Sequence, residues 1–318
     1  VIDLKAKIRI EPFGSIIYLQ DSATTVELDK EETRRTLGYS EDFPESKKGI
    51  MAPKIVHLEL TSRCNMDPRC HYCYASGDPK SELDTLTWKR VIKDLSKSGV
   101  LQVTFGGGEP TLRDDLYELA KYVKTKAKMN LGMTTNGIKI RPDDRLKWFD
   151  QINLSVHDNW DFIRWKSVIV RNYTNVGINF LCRKDEMYQF PDIVRHIHSM
   201  NAVTHNHHGK MELLLLAYKP VIGDIDQVIP NDEIMEKGNS VSRKIPVGVD
   251  GFTFDRCEGG YSFIDVSPTG DIYPCSFVRE PSGNLTEKTL LELWDNIPAI
   301  DKCPYAPLQS QTHIDNGG

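Results

Sequence analysis

Apolar residues recur along the chain at two periods, and between residues 54 and 220 the two alternate. A strand is predicted over 54–60, where Val56, Leu58 and Leu60 share one face at a period of two. A helix follows near 86–98, with Leu86, Val91, Ile92 and Leu95 at helical spacing. Further strands are predicted over 101–105, 131–135, 152–156, 177–181 and 213–217. Leu112, Leu116, Leu119 and Val123 mark a helix after the second strand, and Phe190, Ile193, Val194 and Ile197 mark one after the fifth. Six strands alternating with helices argue for parallel βαβ units, which right-handed crossovers curl into a full or partial barrel. Ligands of such a barrel sit at the carboxyl ends of its strands.

On either side the pattern changes. Two short stretches, the alternating 8–11 and the apolar 16–19, flank the turn signal Pro12-Phe13-Gly14 and predict a small hairpin. Asp29 is placed to open a short helix, and the polar, proline-containing stretch 40–53 reads as a linker. Beyond about 225 the alternation stops. Residues 246–318 are rich in Gly and Pro, hold three cysteines and contain one clear helix near 286–296. The chain therefore divides into an N-terminal hairpin and linker segment (1–50), a barrel (51–225) and a small C-terminal domain (226–318) held partly by metal.

The 318 residues are 39% hydrophobic and 27% charged with a net charge of -5, the balance of a globular protein without the basic excess of a nucleic-acid binder. The longest apolar run, 213–218, is far shorter than the ~20 residues that span a bilayer. The opening residues Val1 to Lys5 show no signal-peptide architecture and lack an initiator Met, which reads as a trimmed start. Seven cysteines cannot all pair, and three of them fall within ten residues. That clustering points to a metal or cluster site in a reducing compartment, hence a cytoplasmic protein, rather than to a secreted disulfide framework.

Cys64, Cys70 and Cys73 are spaced C-x5-C-x2-C directly after the first barrel strand. Thiolates select zinc, Cu(I) or iron–sulfur clusters. A structural zinc site wants four protein ligands, whereas three thiolates on one loop suit a four-iron cluster with one iron left to hold something else. After the second strand comes Phe105-Gly106-Gly107-Gly108-Glu109-Pro110-Thr111, in which glycines permit close backbone approach and a carboxylate suits an ammonium.

The stretches Leu60 to Met66 and Cys70-His71-Tyr72-Cys73-Tyr74 resemble the cluster loop of the radical S-adenosylmethionine (radical SAM) superfamily. The usual loop there is C-x3-C-x2-C with an aromatic before the third cysteine; Tyr72 fills that place, and Asp67-Pro68 looks like a two-residue insertion. The segment ending in Gly107, Gly108 and Glu109 is similar to the family's Gly-Gly-Glu-Pro element, about 35 residues beyond Cys73. The resemblance implies a partial (β/α)6 TIM-like barrel and a [4Fe-4S] cluster on Cys64, Cys70 and Cys73. It also implies S-adenosylmethionine held by Tyr72, Gly107, Gly108, Glu109, Thr135, Asn136, Ser155 and Leu181. One-electron cleavage of the sulfonium would then give a 5′-deoxyadenosyl radical that takes a hydrogen atom from substrate. An iron–sulfur electron carrier has no use for the Glu109 and Asn136-Gly137 elements.

Cys257 and Cys275 frame C-x12-G-x4-C around Gly270, and this resembles the auxiliary-cluster (twitch or SPASM) domain appended to many radical SAM enzymes. Cys303 stands where the family's next C-x2-C pair begins, but its partner position is Ala306. The resemblance thus implies a second [4Fe-4S] cluster on Cys257, Cys275 and Cys303. It further implies a reductant such as flavodoxin or ferredoxin, and a peptide substrate as in maturases of ribosomally made precursors. The alternative is a small molecule, as in molybdopterin-type cyclisation. Cys182, after the fifth strand, is a candidate hydrogen-atom donor or simply a small strand-end residue. His205, His207 and His208 read as a solvated loop, His71 as a loop contact, and Lys121, Lys124, Lys126 and Lys128 as a solvated helix face.

Overall fold

The architecture was read from a computed structural model that describes residues 6–20, 24–75, 82–141, 144–156, 161, 175–203, 211–221, 224–250 and 257–305. The predicted hairpin is present as β1 (Ala6–Glu11) and β2 (Gly14–Leu19), and a third antiparallel strand, β3 (Thr24–Asp29), joins β2. That third strand has only Val26 and Leu28 in alternation and is largely exposed, a pattern too short to predict a strand. Helix α1 (Lys30–Leu37) opens at Asp29 through a capping box with Glu32 and closes on Gly38 in the left-handed region. The small sheet docks at the amino end of the barrel strands. Arg9 donates to the carbonyls of Pro53 (3.2 Å) and Gly99 (2.8 Å), and the Tyr18 hydroxyl donates to Gln102 (2.8 Å).

All six predicted barrel strands form: β4 (Ile55–Thr61), β5 (Gln102–Gly107), β6 (Asn130–Thr135), β7 (Gln151–Ser155), β8 (Asn175–Cys182) and β9 (Glu212–Ala217). They pair in sequence order and in parallel. On β4 the outward residues Val56, Leu58 and Leu60 are fully buried against the helices. Each such side chain removed from water contributes about 1.5–3 kcal/mol. Helix α2 (Thr85–Lys97) buries Trp88, Val91, Ile92 and Leu95. Leu86 is not on that face: it is 71% exposed, because it lies in the first turn on the solvent side. The second predicted helix is broken into a short 3-10 turn (Pro110–Leu112), α3 (Leu116–Tyr122) and a π turn (Val123–Ala127). Helix α4 (Phe190–Val203) follows β8.

The alternation runs one unit further than the sequence pattern indicates. Helix α5 (Asn231–Val241) leads into β10 (Val247–Val249), which lies parallel beside β9. At the other edge β11 (Phe263–Val266) lies parallel beside β4 and is followed by the antiparallel β12 (Ile272–Tyr273). One nine-stranded sheet therefore runs β10-β9-β8-β7-β6-β5-β4-β11-β12, and residues beyond 225 supply both of its edges. Helix α6 (Leu290–Trp294) is capped by Thr289. The linker is fastened to this C-terminal region: Lys48 donates to the carbonyls of Gly260 and Ile297, and Trp294 Nε1 donates to the carbonyl of Ile50 (3.1 Å). Among the described residues no helix is long and apolar enough to cross a membrane.

Candidate active site

The cysteine loop leaves the carboxyl end of β4, where Glu82 holds its first residues. The Glu82 carboxylate accepts from Thr61 Oγ1 (2.7 Å) and from the Ser62 backbone N–H (3.0 Å). Arg113 pins the same corner by donating to the carbonyls of Leu60 (2.9 Å) and Leu83 (3.2 Å). Cys64, Cys70 and Cys73 are half-buried thiols, none of them in a disulfide. Burial raises the Cys70 thiol above its ordinary range, and the nearby Cys73 and Cys64 thiols raise it further. The three thiols are thus near enough for each to feel the charge of the others.

The glycines of β5 and its turn are needed for the loop itself. A β-carbon on Gly107, which sits at φ +107°, would lie 2.5 Å from the Thr61 carbonyl oxygen, and one on Gly108 would lie 2.1 Å from that of Arg63. The backbone N–H of Gly108 donates to Thr61 O (2.6 Å) and that of Glu109 to Arg63 O (2.7 Å). The close approach is thus to the cysteine loop, and it delivers the Glu109 side chain beneath it. Glu109 is 1% exposed. Its Oε1 accepts from Thr111 N–H (3.1 Å), Thr111 Oγ1 (2.5 Å) and Thr135 Oγ1 (2.7 Å), while among the described residues Oε2 accepts only from the Asn136 N–H (2.8 Å). Oε2 keeps acceptor capacity for one more donor, as an ammonium requires.

Asn136 connects the two motifs. Its Nδ2 donates to Asn65 Oδ1 (2.8 Å) and approaches Cys64 Sγ at 4.0 Å. The Thr135 hydroxyl donates to Glu109 and accepts from Gly137 N–H (3.0 Å), so it positions the carboxylate rather than facing a ligand. Ser155 and Leu181 alternate with buried outward residues on β7 and β8, which puts both on the inner face of the barrel near its mouth.

Tyr72 is wedged at that mouth. The Arg183 guanidinium, just past β8, lies 5.2 Å from the Tyr72 ring and 4.6 Å from that of Tyr218. Arg183 is 1% exposed and is gripped by Asp185 through Nε (3.0 Å) and Nη2 (2.8 Å). Sequence reasoning missed Arg183, and it also missed Asn179, which stands opposite Ser155 in the β7–β8 register with its buried Oδ1 unpartnered among the described residues. Single polar residues inside an apolar run carry no periodic signal.

Cys182 is a correction. It has the strand parity of Ile178 and Phe180, which face the helices, and it is 1% exposed. Burial pushes its thiol up to about 12. A thiol on the outer face of β8 does not present hydrogen to the barrel interior.

Cys257, Cys275 and Cys303 converge from three separate segments. Burial raises the Cys275 thiol to about 11, with Cys257 and Cys303 adding to the rise and Lys219 opposing it. Burial also raises the Cys303 thiol, again against Lys219. Lys219 follows β9 and is paired to Asp250 at 2.5 Å, so this second thiol group faces the carboxyl end of the sixth barrel strand. Tyr74, next to Cys73, meets the ring of Phe277, close to Cys275, at 5.0 Å. The two thiol groups thereby border one interior. His205, His207 and His208 lie outside the described residues.

Two groups of soft thiolate donors, one beside a buried carboxylate with a free acceptor position, fit iron–sulfur clusters and an aminoacid-bearing cofactor. The chain matches the radical SAM superfamily over its residues 58–180. It is an enzyme of the kind that uses a [4Fe-4S] cluster and S-adenosylmethionine. Its residues 257–312 match SPASM, an iron–sulfur cluster-binding domain that implies auxiliary cluster chemistry. Among its relatives are the AdoMet-dependent heme synthase of Methanosarcina barkeri, 26% identical over 79% of this chain and 84% of the relative, and the PqqA peptide cyclase of Gluconobacter oxydans, 26% identical over 78% of each. The fold is that of Streptococcus suis SuiB, solved bound to its precursor peptide SuiA, with a TM-score of 0.69 at 17% identity over 96% of this chain and 89% of that one.

Proposed function

We propose that this enzyme modifies a ribosomally made peptide within the barrel, between the two thiol groups. The carrying observation is their placement: Cys64, Cys70 and Cys73 crown β4, while Cys257, Cys275 and Cys303 face the end of β9 across the same mouth. Cys64, Cys70 and Cys73 hold the first cluster, and Cys257, Cys275 and Cys303 hold an auxiliary one. When bound, the first cluster and S-adenosylmethionine supply one-electron sulfonium cleavage and removal of a substrate hydrogen atom. Glu109 Oε2 takes the cofactor's ammonium, and Gly107 and Gly108 seat the loop above it. Asn136 fixes the loop through Asn65, Ser155 and Leu181 line the inner wall, and Tyr72 closes the mouth under Arg183. The PqqA peptide cyclase and the SuiB complex with SuiA support a peptide substrate. A flavodoxin or ferredoxin supplies the electron, in the cytoplasm.

A second reading, a small-molecule substrate, is favoured by the equal identity to the heme synthase. The assay that decides uses the anaerobically reconstituted enzyme with dithionite, S-adenosylmethionine and short peptides encoded beside its gene. One such peptide should raise 5′-deoxyadenosine formation and change mass. Stimulation by a haem precursor and by no peptide would favour the second reading.

A further inference from the structure

Period-two alternation on β4 sends His57, Glu59 and Thr61 to the inner face, opposite the buried Val56, Leu58 and Leu60. Strand β11 brings Asp265 alongside: it is the register partner of His57, and Nδ1 of the ring lies 2.7 Å from Asp265 Oδ2. Asp265 is fully buried and also accepts from Ser276 Oγ (2.5 Å), so it is a carboxylate that takes the Nδ1 proton as a hydrogen bond. Nε2 of His57 has no hydrogen-bond partner among the described residues, and it is not among their fully buried unpartnered atoms. The imidazole keeps 12% of its side-chain surface where Asp265 keeps none. A β-carbon on the neighbouring Gly106 would lie 2.2 Å from Nε2, so β5 leaves room for the ring only by having glycine there. Two residues on, and on the same face, Glu59 Oε1 is buried with no hydrogen-bond partner among the described residues.

Ligand atoms of His57, Glu59 and Asp265 all lie within 4.8 Å of one another, the spacing of a cation site. The cation is already there: Arg279 donates to Glu59 Oε2 at 2.8 Å and reaches Asp265 Oδ1 at 3.4 Å. A metal ion would add its charge to a guanidinium in a buried site. With Arg279 in place the cluster balances when the imidazole is protonated, which is the electrostatics of an acid–base pair. Burial pushes His57 down, but the charge and hydrogen bond of Asp265 and the charge of Glu59 outweigh both that and the opposing Arg279, and its pKa stands above the ordinary histidine value. Tyr74, which also abuts Asp265 and Glu59, is held neutral by burial and by those charges.

We propose that His57, oriented by Asp265, is the proton acceptor in the barrel wall for an N–H, O–H or S–H group of the substrate, with Glu59 Oε1 as a second acceptor beside it. The step moves one proton: the donor X–H gives it to Nε2, leaving X⁻ and an imidazolium whose charge Asp265 balances. No electron changes hands. The inference rests on the reading that substrate enters the barrel, and not on whether that substrate is a peptide.

Diethyl pyrocarbonate, which acylates an imidazole nitrogen only where that nitrogen is accessible and unprotonated, tests it on the holoenzyme without any substrate. Peptide mapping by mass spectrometry from about pH 5 to about pH 9 should show His57 modified with a midpoint above that of free histidine. Asp265→Asn should lower that midpoint by about one unit or more. If that variant loses its iron or fails to fold, Glu59→Gln removes the other charge that raises the ring and should also lower the midpoint. A His57 that stays unmodified while the other histidines react, or a midpoint indifferent to the removed charge, overturns the proposal. With the peptide found by the assay above, His57→Gln should yield at least about tenfold less product for each 5′-deoxyadenosine formed than the wild-type enzyme does. Undiminished product per 5′-deoxyadenosine would also overturn it. Failure to find any peptide leaves the chemical-modification result standing and bears only on the substrate class.

Discussion

Gly108 lies against Arg63 so closely that a β-carbon on it would sit 2.1 Å from the Arg63 carbonyl oxygen. The contact joins the end of β5 to the start of the cysteine loop, and the adjacent Glu109 N–H donates to that same oxygen at 2.7 Å. The glycine-rich turn and the thiol loop are thus one structure, and each depends on the other's backbone.

Gly108→Ala should therefore act on the loop before it acts on any ligand. The backbone of Arg63 has to move, at a cost of about 1–3 kcal/mol, the range for overpacking. The variant should melt at lower temperature and retain less iron at Cys64, Cys70 and Cys73. Iron and sulfide analysis beside a thermal melt checks this, and wild-type values for both would contradict it.

Anaerobic reconstitution should load about eight irons, as two four-iron clusters. The Cys64→Ala, Cys70→Ala, Cys73→Ala triple variant should keep about half of them, because the second thiol group is built from Cys257, Cys275 and Cys303 alone. Stoichiometric zinc without sulfide would rule the cluster assignment out.

Glu109→Gln separates charge from scaffolding. The amide preserves volume and an acceptor oxygen for Thr111, Thr135 or Asn136, whereas alanine would orphan all of their donors. Losing the charge at Oε2 should weaken S-adenosylmethionine binding by about 1.5–3 kcal/mol, or one to two decades in dissociation constant, with cluster content unchanged. Equilibrium titration of the reconstituted variant decides it; equal affinity would mean that Oε2 does not meet the ammonium.

The His57–Asp265 pair should also appear in stability against pH. The folded value of His57 is raised above that of the unfolded chain, near pH 6.5. Its contribution is therefore complete below about pH 6.5 and is lost as pH rises through the folded value. Denaturant unfolding at stepped pH should show that loss in the wild-type protein and not in Asp265→Asn. A loss of the same size in both would assign it elsewhere.

The sequence by itself determined the barrel and its first site. Alternation in Val56, Leu58 and Leu60 and its repeats fixed six strands within a residue or two, since each strand buries its own apolar face against its own helix. Cys64, Cys70, Cys73 and Glu109 were legible because ligands contributed by one short loop or one turn leave a fixed spacing. Tertiary structure alone decided the rest. β3 is largely exposed with only Val26 and Leu28 in alternation, and β10 is three residues long, so neither pattern is long enough to find. β11 joins β4 across some 200 positions of sequence, and with it Asp265 comes to His57. Arg183 reaches Tyr72, and Lys219 faces Cys275, only because strands far apart in the sequence end at one mouth. Pairings of that range are selected by packing of the whole sheet, and no local period records them.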